Sequence, residues 1–198
     1  MKKTTKKPVR KVRLVRRAGR VKNVKKKLTR KVVRKKPKTR VPKTKIPAKL
    51  IKLLVESKIK YDIVAHKVVF TAWDLAQTLK MKPSEISKTL VLKADKDYIL
   101  AVLPGDLRLD MAKLKKLAKV KKISIVSEKD MVKKFKVKPG AITPFGSLYK
   151  TPVYIENRLT KLTNCLFQSG SFNHSIKMKV KDFIKIEEPV KGSFGKKK

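Results

Sequence analysis

Residues 88–106 read Lys-Thr-Leu-Val-Leu-Lys-Ala-Asp-Lys-Asp-Tyr-Ile-Leu-Ala-Val-Leu-Pro-Gly-Asp. Two apolar runs, Thr89–Lys93 and Tyr98–Leu103, flank the short polar segment Ala94–Asp97. That pattern predicts a β-hairpin. The second run is apolar at nearly every position, as in a central strand buried on both faces. Pro104-Gly105 ends it. A hairpin at this point, with irregular alternation of elements around it, argues against a doubly wound parallel sheet and for an α+β fold.

Working upstream, Ala48–Lys58 predicts a helix and Tyr61–Val64 a short strand, with His66 just beyond it. Thr71 is an N-cap for a helix carrying Ala72, Leu75, Ala76 and Leu79. Pro83-Ser84 begins a turn that leads into Lys88. Downstream, Asp110 caps a helix with Met111, Leu114 and Leu117, and Ile123–Ile125 is a short strand. Ser127 with Asp130 three places on resembles a capping box and opens another helix. Lys138–Gly146 holds two Gly, two Pro and a Thr in nine residues, the composition of a shaped loop. Three strands follow at Pro152–Ile155, Cys165–Phe167 and Ser175–Met178, then a last helical turn at Lys181–Ile184. The expectation is about seven strands and four or five helices in a single compact domain, residues 48–188. Its sheet is expected to be mixed and mostly antiparallel, with residues 189–198 as a basic C-terminal tail.

The 198 residues carry 56 Lys and Arg against 14 Asp and Glu, a net charge of +42. Residues 1–49 hold 24 of those cations and no acid. Such asymmetry predicts a Lys/Arg-rich tail and linker, residues 1–47, ahead of the domain. Within it Val9, Val12, Val15, Ala18, Val21, Val24, Leu28 and Val32 recur every three or four residues. They would form a thin apolar stripe on a helix once a polyanion screens the cations. Arg10, Arg13, Arg16, Arg17, Arg20, Lys25, Lys26, Lys27, Arg30 and Arg34 are the candidate phosphate contacts. The tail has no Trp, Tyr or Phe, so it reads nucleic-acid backbone charge rather than bases. A solubilising tail and an anionic membrane surface are the alternatives. A mitochondrial presequence fits less well, because Lys dominates and Pro37, Pro42 and Pro47 interrupt the segment.

Cys165 is the only cysteine and there are two histidines, so no disulfide, metal site or cofactor is expected. A reducing, cytoplasmic location follows as the expectation, with Cys165 a buried thiol in an apolar strand. No apolar stretch is long enough for a transmembrane helix. No G-x-G-x-x-G, Walker A, G-x-S-x-G or H-E-x-x-H pattern occurs. Asp106 and Asp110 read as loop and cap residues. His66 is a structural histidine, a substrate contact or a catalytic base, His174 is similarly ambiguous, and the sequence leaves these readings open.

Three signatures in order then resemble one family: Lys88-Thr-Leu-Val91, Leu100–Asp106 with a helix close behind, and Pro139-Gly-Ala-Ile-Thr-Pro-Phe-Gly146 before Pro152–Ile155. Together they resemble the YbaK/ProX family of aminoacyl-tRNA editing domains, from about residue 50 to 186. The resemblance implies an aminoacyl-tRNA deacylase that hydrolyses the ester of mischarged tRNA, acting in trans, with tRNA as partner; a monomer is the default expectation and the oligomeric state stays open. The ribosome, an aminoacyl-tRNA synthetase or another nucleic acid is the candidate further partner reached through the tail. The family's lysine falls on Lys88 and its G-x-x-x-P loop on Gly140, Ala141, Ile142, Thr143 and Pro144, the expected catalytic set. Substrate contacts are expected from His66, Asp106, Phe145, Gly146, Gln168, Gly170, Asn173 and His174. Gln168 departs from the histidine that some alanyl-specific members carry. A non-catalytic RNA- or DNA-binding protein that keeps the editing fold is the alternative, and a ribosome-associated or chromatin-like protein dominated by its tail is a third reading.

Overall fold

The structure, a computed structural model, describes residues 46–197. The ten tail cations and the stripe around them lie outside the described residues.

The hairpin forms as the apolar pattern predicts. β2 (Ser87–Ala94) and β3 (Asp97–Pro104) pair antiparallel from Ser87↔Pro104 to Ala94↔Asp97 without a bulge. From Leu100 to Leu103 β3 is fully buried, as its unbroken apolar run requires. It is the middle strand of a five-stranded sheet that also contains β5 (Ile123–Ile125), β6 (Val153–Glu156) and β9 (Val190–Gly192), in the order β5-β2-β3-β6-β9. β6 and β9 join in parallel and the other pairs are antiparallel, so the sheet is mixed. A second, antiparallel sheet has the order β1-β8-β7, from Tyr61–Ala65, His174–Lys179 and Asn164–Gln168. A parallel bridge Ile86↔Leu166 and a bond from the Ser87 hydroxyl to the Leu166 carbonyl (3.2 Å) tie the sheets together.

The helices α1 (Ala48–Glu56), α2 (Ala72–Leu79), α3 (Met111–Ala118), α4 (Glu128–Phe135), α5 (Asn157–Thr160) and α6 (Val180–Glu187) cover these sheets. Thr71, Asp110 and Ser127 each accept the N–H three residues on, as the capping pattern predicts. The residues that close α2, α3 and α4 are Lys80, Lys119 and Lys136, all left-handed with φ of 51°, 54° and 55°. Glycine is the usual residue there.

One face of the five-stranded sheet packs Val91, Leu100 and Val102 with Phe145, Phe167 and Phe183. The other packs Leu92, Ala101 and Leu103 with Leu114 of α3 and Phe194. The C-terminal residues correct the expectation of a tail at 189–198. β9 completes the sheet, β10 (Gly195–Lys197) pairs with β4 (Leu107–Leu109), and Phe194 is fully buried. The buried Glu156 carboxylate accepts the N–H groups of Phe194 (2.6 Å) and Gly195 (2.5 Å). One large apolar residue and a buried acceptor outweigh the basic composition of this segment. At the other end Ile46 is buried in the core, so the domain begins slightly before the expected boundary. Among the described residues there are ten strands rather than seven. Those missed, β4, β9 and β10, have three residues each, too few for a period to show.

Candidate active site

The loop after α4 has no regular structure, yet its backbone is closely packed. Gly140 sits at φ 80°, and a Cβ there would lie 2.9 Å from the Phe70 carbonyl oxygen. No other residue takes that conformation in that space. The chain is then buried from Ala141 to Gly146. The Ala141 N–H donates to the Lys138 carbonyl (3.1 Å). Beyond it, Pro144 has no N–H and the Gly146 N–H faces the Glu187 carboxylate, which leaves the N–H groups of Ile142, Thr143 and Phe145 without an acceptor among the described residues. Fixed, buried N–H groups without a partner are what a developing oxyanion needs. The Thr143 hydroxyl is also fully buried with no partner among the described residues.

A second loop, after β7, lies against this one. Gly170 sits at φ 87°, and a Cβ there would be 2.9 Å from Pro47 and 3.2 Å from Thr143 Cγ2. Internal bonds shape it: Ser169 Oγ donates to the His174 carbonyl (2.6 Å) and Ser171 Oγ to Asn173 Oδ1 (2.7 Å). His174 Nδ1 lies 2.7 Å from the same Asn173 oxygen. His66 is held at this end of the sheet, with Nε2 2.9 Å from Ser175 Oγ and its N–H on the Asn173 carbonyl. Both histidines are half-buried and engaged with the protein, so their structural role is visible in the geometry.

Beside the two loops opens a cleft of about 720 Å³ lined by Val68, Phe70, Glu128, Lys138, Pro139, Gly140 and Phe172. Phe70 and Phe172 face each other at 5.1 Å between ring centroids, tilted by 55°. Sequence reasoning missed this pair. Its only signal was a large apolar residue, Phe70, immediately before a helix cap.

Lys88 belongs to the other face of its strand from Val91, which packs with the loop. Strand alternation puts it on the face of Leu90 and Leu92, under α3, and its Nζ donates to the Leu107 carbonyl. Its neighbour Thr89 takes the face that packs against the loop, and the Thr89 hydroxyl is buried with no partner among the described residues. Gln168 ends β7. It lies two residues beyond Leu166, as Lys88 lies two beyond Ile86, and the bridge between those two is parallel. Both therefore point toward the same end of the fold. Asp106 holds Arg158 at 3.1 Å through Oδ2, and its Oδ1 is buried with no partner among the described residues.

Two expected substrate contacts are corrected. The Phe145 ring is fully buried and meets Phe183 edge-on at 5.4 Å between centroids. Gly146 is packed so closely that a Cβ would come within 2.2 Å of the Thr151 carbonyl oxygen. Both hold the loop in place from beneath. Ile142 is likewise core, so it can act only through its backbone. Burial pushes the Cys165 thiol up to about 12, so it is no nucleophile near neutrality. Among the described residues no cluster of three His, Cys, Asp or Glu could hold a metal. Nor is any described helix long and apolar enough to cross a membrane.

The family model of the aminoacyl-tRNA editing domain matches residues 66–186. The chain therefore belongs to the aminoacyl-tRNA editing domain family, a class of tRNA-directed hydrolases. Among curated proteins it is similar to the proline–tRNA ligase of Thermotoga neapolitana, 34% identical over 82 residues, covering 41% of this chain and 14% of that one. The proline–tRNA ligase of Bacillus velezensis is 25% identical over 93 residues, covering 47% and 16%. The chain thus spans about a seventh of the length of these relatives. Among solved structures, a hypothetical protein superposes with a TM-score of 0.70 at 17% identity, covering 75% of this chain and 99% of that one. A candidate trans-editing enzyme for prolyl tRNA synthetase gives 0.66 at 18%, covering 75% and 96%. These likenesses show the same fold.

Proposed function

We propose that this chain removes the amino acid from mischarged tRNA in trans, using the 140–146 loop as its catalytic element. One observation carries the reading: a buried loop in which the N–H groups of Ile142, Thr143 and Phe145 are held in place with no partner among the described residues. Water attacks the ester carbonyl, the acyl carbon–ribose oxygen bond breaks, and the ribose oxygen takes a proton. The loop N–H groups stabilise charge on the carbonyl oxygen, a contribution worth about 10²–10³ in rate per donor. Thr143 and Thr89 supply hydroxyls able to bond the amino acid or the water. Lys88 holds the terminal ribose or phosphate, exchanging the Leu107 carbonyl for it. The substrate's own vicinal hydroxyl positions the water, so no protein nucleophile is required.

Action in trans is supported by the near-complete cover of the solved trans-editing candidate. Mischarged prolyl tRNA is the first substrate to test, given the proline–tRNA ligases among the relatives. A cytoplasmic site of action and a phosphate-binding role for the tail belong to the same proposal. The test is release of free amino acid from Ala-, Ser- and Cys-charged tRNAs, tRNA for proline among them. Release from at least one pair is expected. No release above background from any pair would leave the non-catalytic RNA-binding reading in its place.

A further inference from the structure

The lysines of residues 111–122 are a different kind of feature from the tail, because the fold fixes their positions. Lys113, Lys115, Lys116, Lys119, Lys121 and Lys122 are all exposed, on α3 and on the turn that follows it. Leu114 is fully buried beneath them and anchors the helix to the sheet. The C-terminal segment lies alongside. Leu117 packs against Gly192, where a Cβ would come within 2.3 Å of it. The Asp110 N–H donates to the Phe194 carbonyl at 2.7 Å. Lys196 of β10 then stands directly across from Arg108 of β4. The result is one continuous cationic surface carried on a helix, a turn and a two-stranded ribbon.

The acids within this surface serve the fold. Asp110 caps α3 by accepting the Lys113 N–H (3.1 Å), and Asp95 accepts the N–H groups of Lys121 (3.1 Å) and Lys122 (2.7 Å). Both carboxyls are held below the usual range, Asp110 by the Lys113 N–H and then by the Lys113 and Lys196 charges, Asp95 first by its two N–H bonds. Asp97 opens β3 beside the hairpin turn, and the buried Glu156 is taken up by the Phe194 and Gly195 N–H groups. The single aromatic residue of these segments, Phe194, is fully buried. A face with many fixed cations and no exposed ring suits phosphates and offers no stacking platform for bases. A rigid array fits a regular duplex backbone better than a loose single strand.

We infer that the α3 face is a second RNA-binding surface, which docks the base-paired stem of tRNA through its phosphates independently of sequence. It rests on the deacylase reading only for the identity of the RNA. The division of labour follows from the layout: the face raises affinity for the body of the RNA, and the loop site acts on its end.

The experiment uses the full chain and an unacylated tRNA transcript as the probe. Lys113, Lys115, Lys116 and Lys119 are changed together to Gln. A control of equal charge loss changes Lys177, Lys179, Lys181 and Lys185, on β8 and α6. Binding is measured from about 50 to 200 mM salt. The face variant is expected to bind about tenfold or more weakly than the control, with a log–log salt slope flatter by about 3 to 4. Changing the same four lysines to Arg should keep the affinity. Equal losses in face variant and control would overturn the proposal. So would loss of binding to phosphatidylserine vesicles with tRNA binding kept, or an Arg variant as weak as the Gln variant. Hydrolysis separates this proposal from the deacylase reading. A wild-type chain that hydrolyses nothing, with tRNA binding lost only in the face variant, keeps the surface and sinks the deacylase. Hydrolysis with the same KM in face variant and control does the reverse.

Discussion

The loop at 140–146 and the face of α3 are built from opposite materials. The loop is buried, carries no charged side chain and offers backbone groups whose positions the packing dictates. The face is exposed and offers only side-chain charge. A buried dipole keeps its strength, because little solvent competes with it. An exposed cation is screened within about 10 Å at ordinary salt, so it attracts without choosing. On the proposed function, selectivity and chemistry fall to the quiet region, and attraction to the conspicuous one.

The largest effect should come from the loop. Gly140→Ala places a Cβ against the Phe70 carbonyl in a left-handed backbone. We expect kcat to fall about 10²–10³-fold, the scale of one lost oxyanion donor, with tRNA affinity nearly unchanged. A mutant with normal kcat and raised KM would erase the contrast between the two regions. Next comes Glu156→Gln, which weakens the clasp on Phe194 and Gly195. A loss of about 1–3 kcal/mol is expected in urea unfolding, since two buried N–H groups lose a charged acceptor. Because that clasp holds β10 beside β4, tRNA binding should weaken in step. Undiminished binding in a destabilised Glu156→Gln would show that β10 is not needed by the face.

Thr143→Val sharpens the comparison from the other side. An unsatisfied buried hydroxyl costs stability, so its removal should leave Tm unchanged or raise it. Activity should nevertheless fall about tenfold or more. A drop in both would mark the hydroxyl as structural. The smallest effect belongs to the helix ends. Lys119→Gly relieves a left-handed lysine by up to about 1 kcal/mol, which corresponds to roughly 1–4 °C in Tm. It also removes one cation from the face, so tRNA affinity should drop slightly while stability rises.

Most of the domain was legible because its signals are local. The hairpin, the three side-chain caps and the shaped loop each rest on a few adjacent residues. The site was legible only in part. Gly140 announced its loop, but whether Phe145 lines a pocket or fills the core depends on Phe183, 38 positions on, and no local pattern carries that. The face of Lys88 depends on the hairpin register, and the Phe70–Phe172 pair joins residues about half the chain apart. The C-terminal strands were hidden for a similar reason. Their charge suggested solvent, while a partner at Glu156 drew Phe194 inside.

The left-handed lysines carry one more consequence. Lys58, Lys80, Lys119, Lys136 and Lys150 occupy positive-φ positions, φ 51° to 55°, where glycine would be easier. In a chain with only seven glycines, a charged residue sits at these bends instead. A cation at a helix C-terminus also meets the negative end of the helix dipole, which offsets part of the strain. Engineers seeking a more robust version of this domain therefore have a ready set of glycine replacements. Each would trade a little electrostatic reach for relief of backbone strain, so stabilising the scaffold and weakening its pull on polyanions are coupled outcomes.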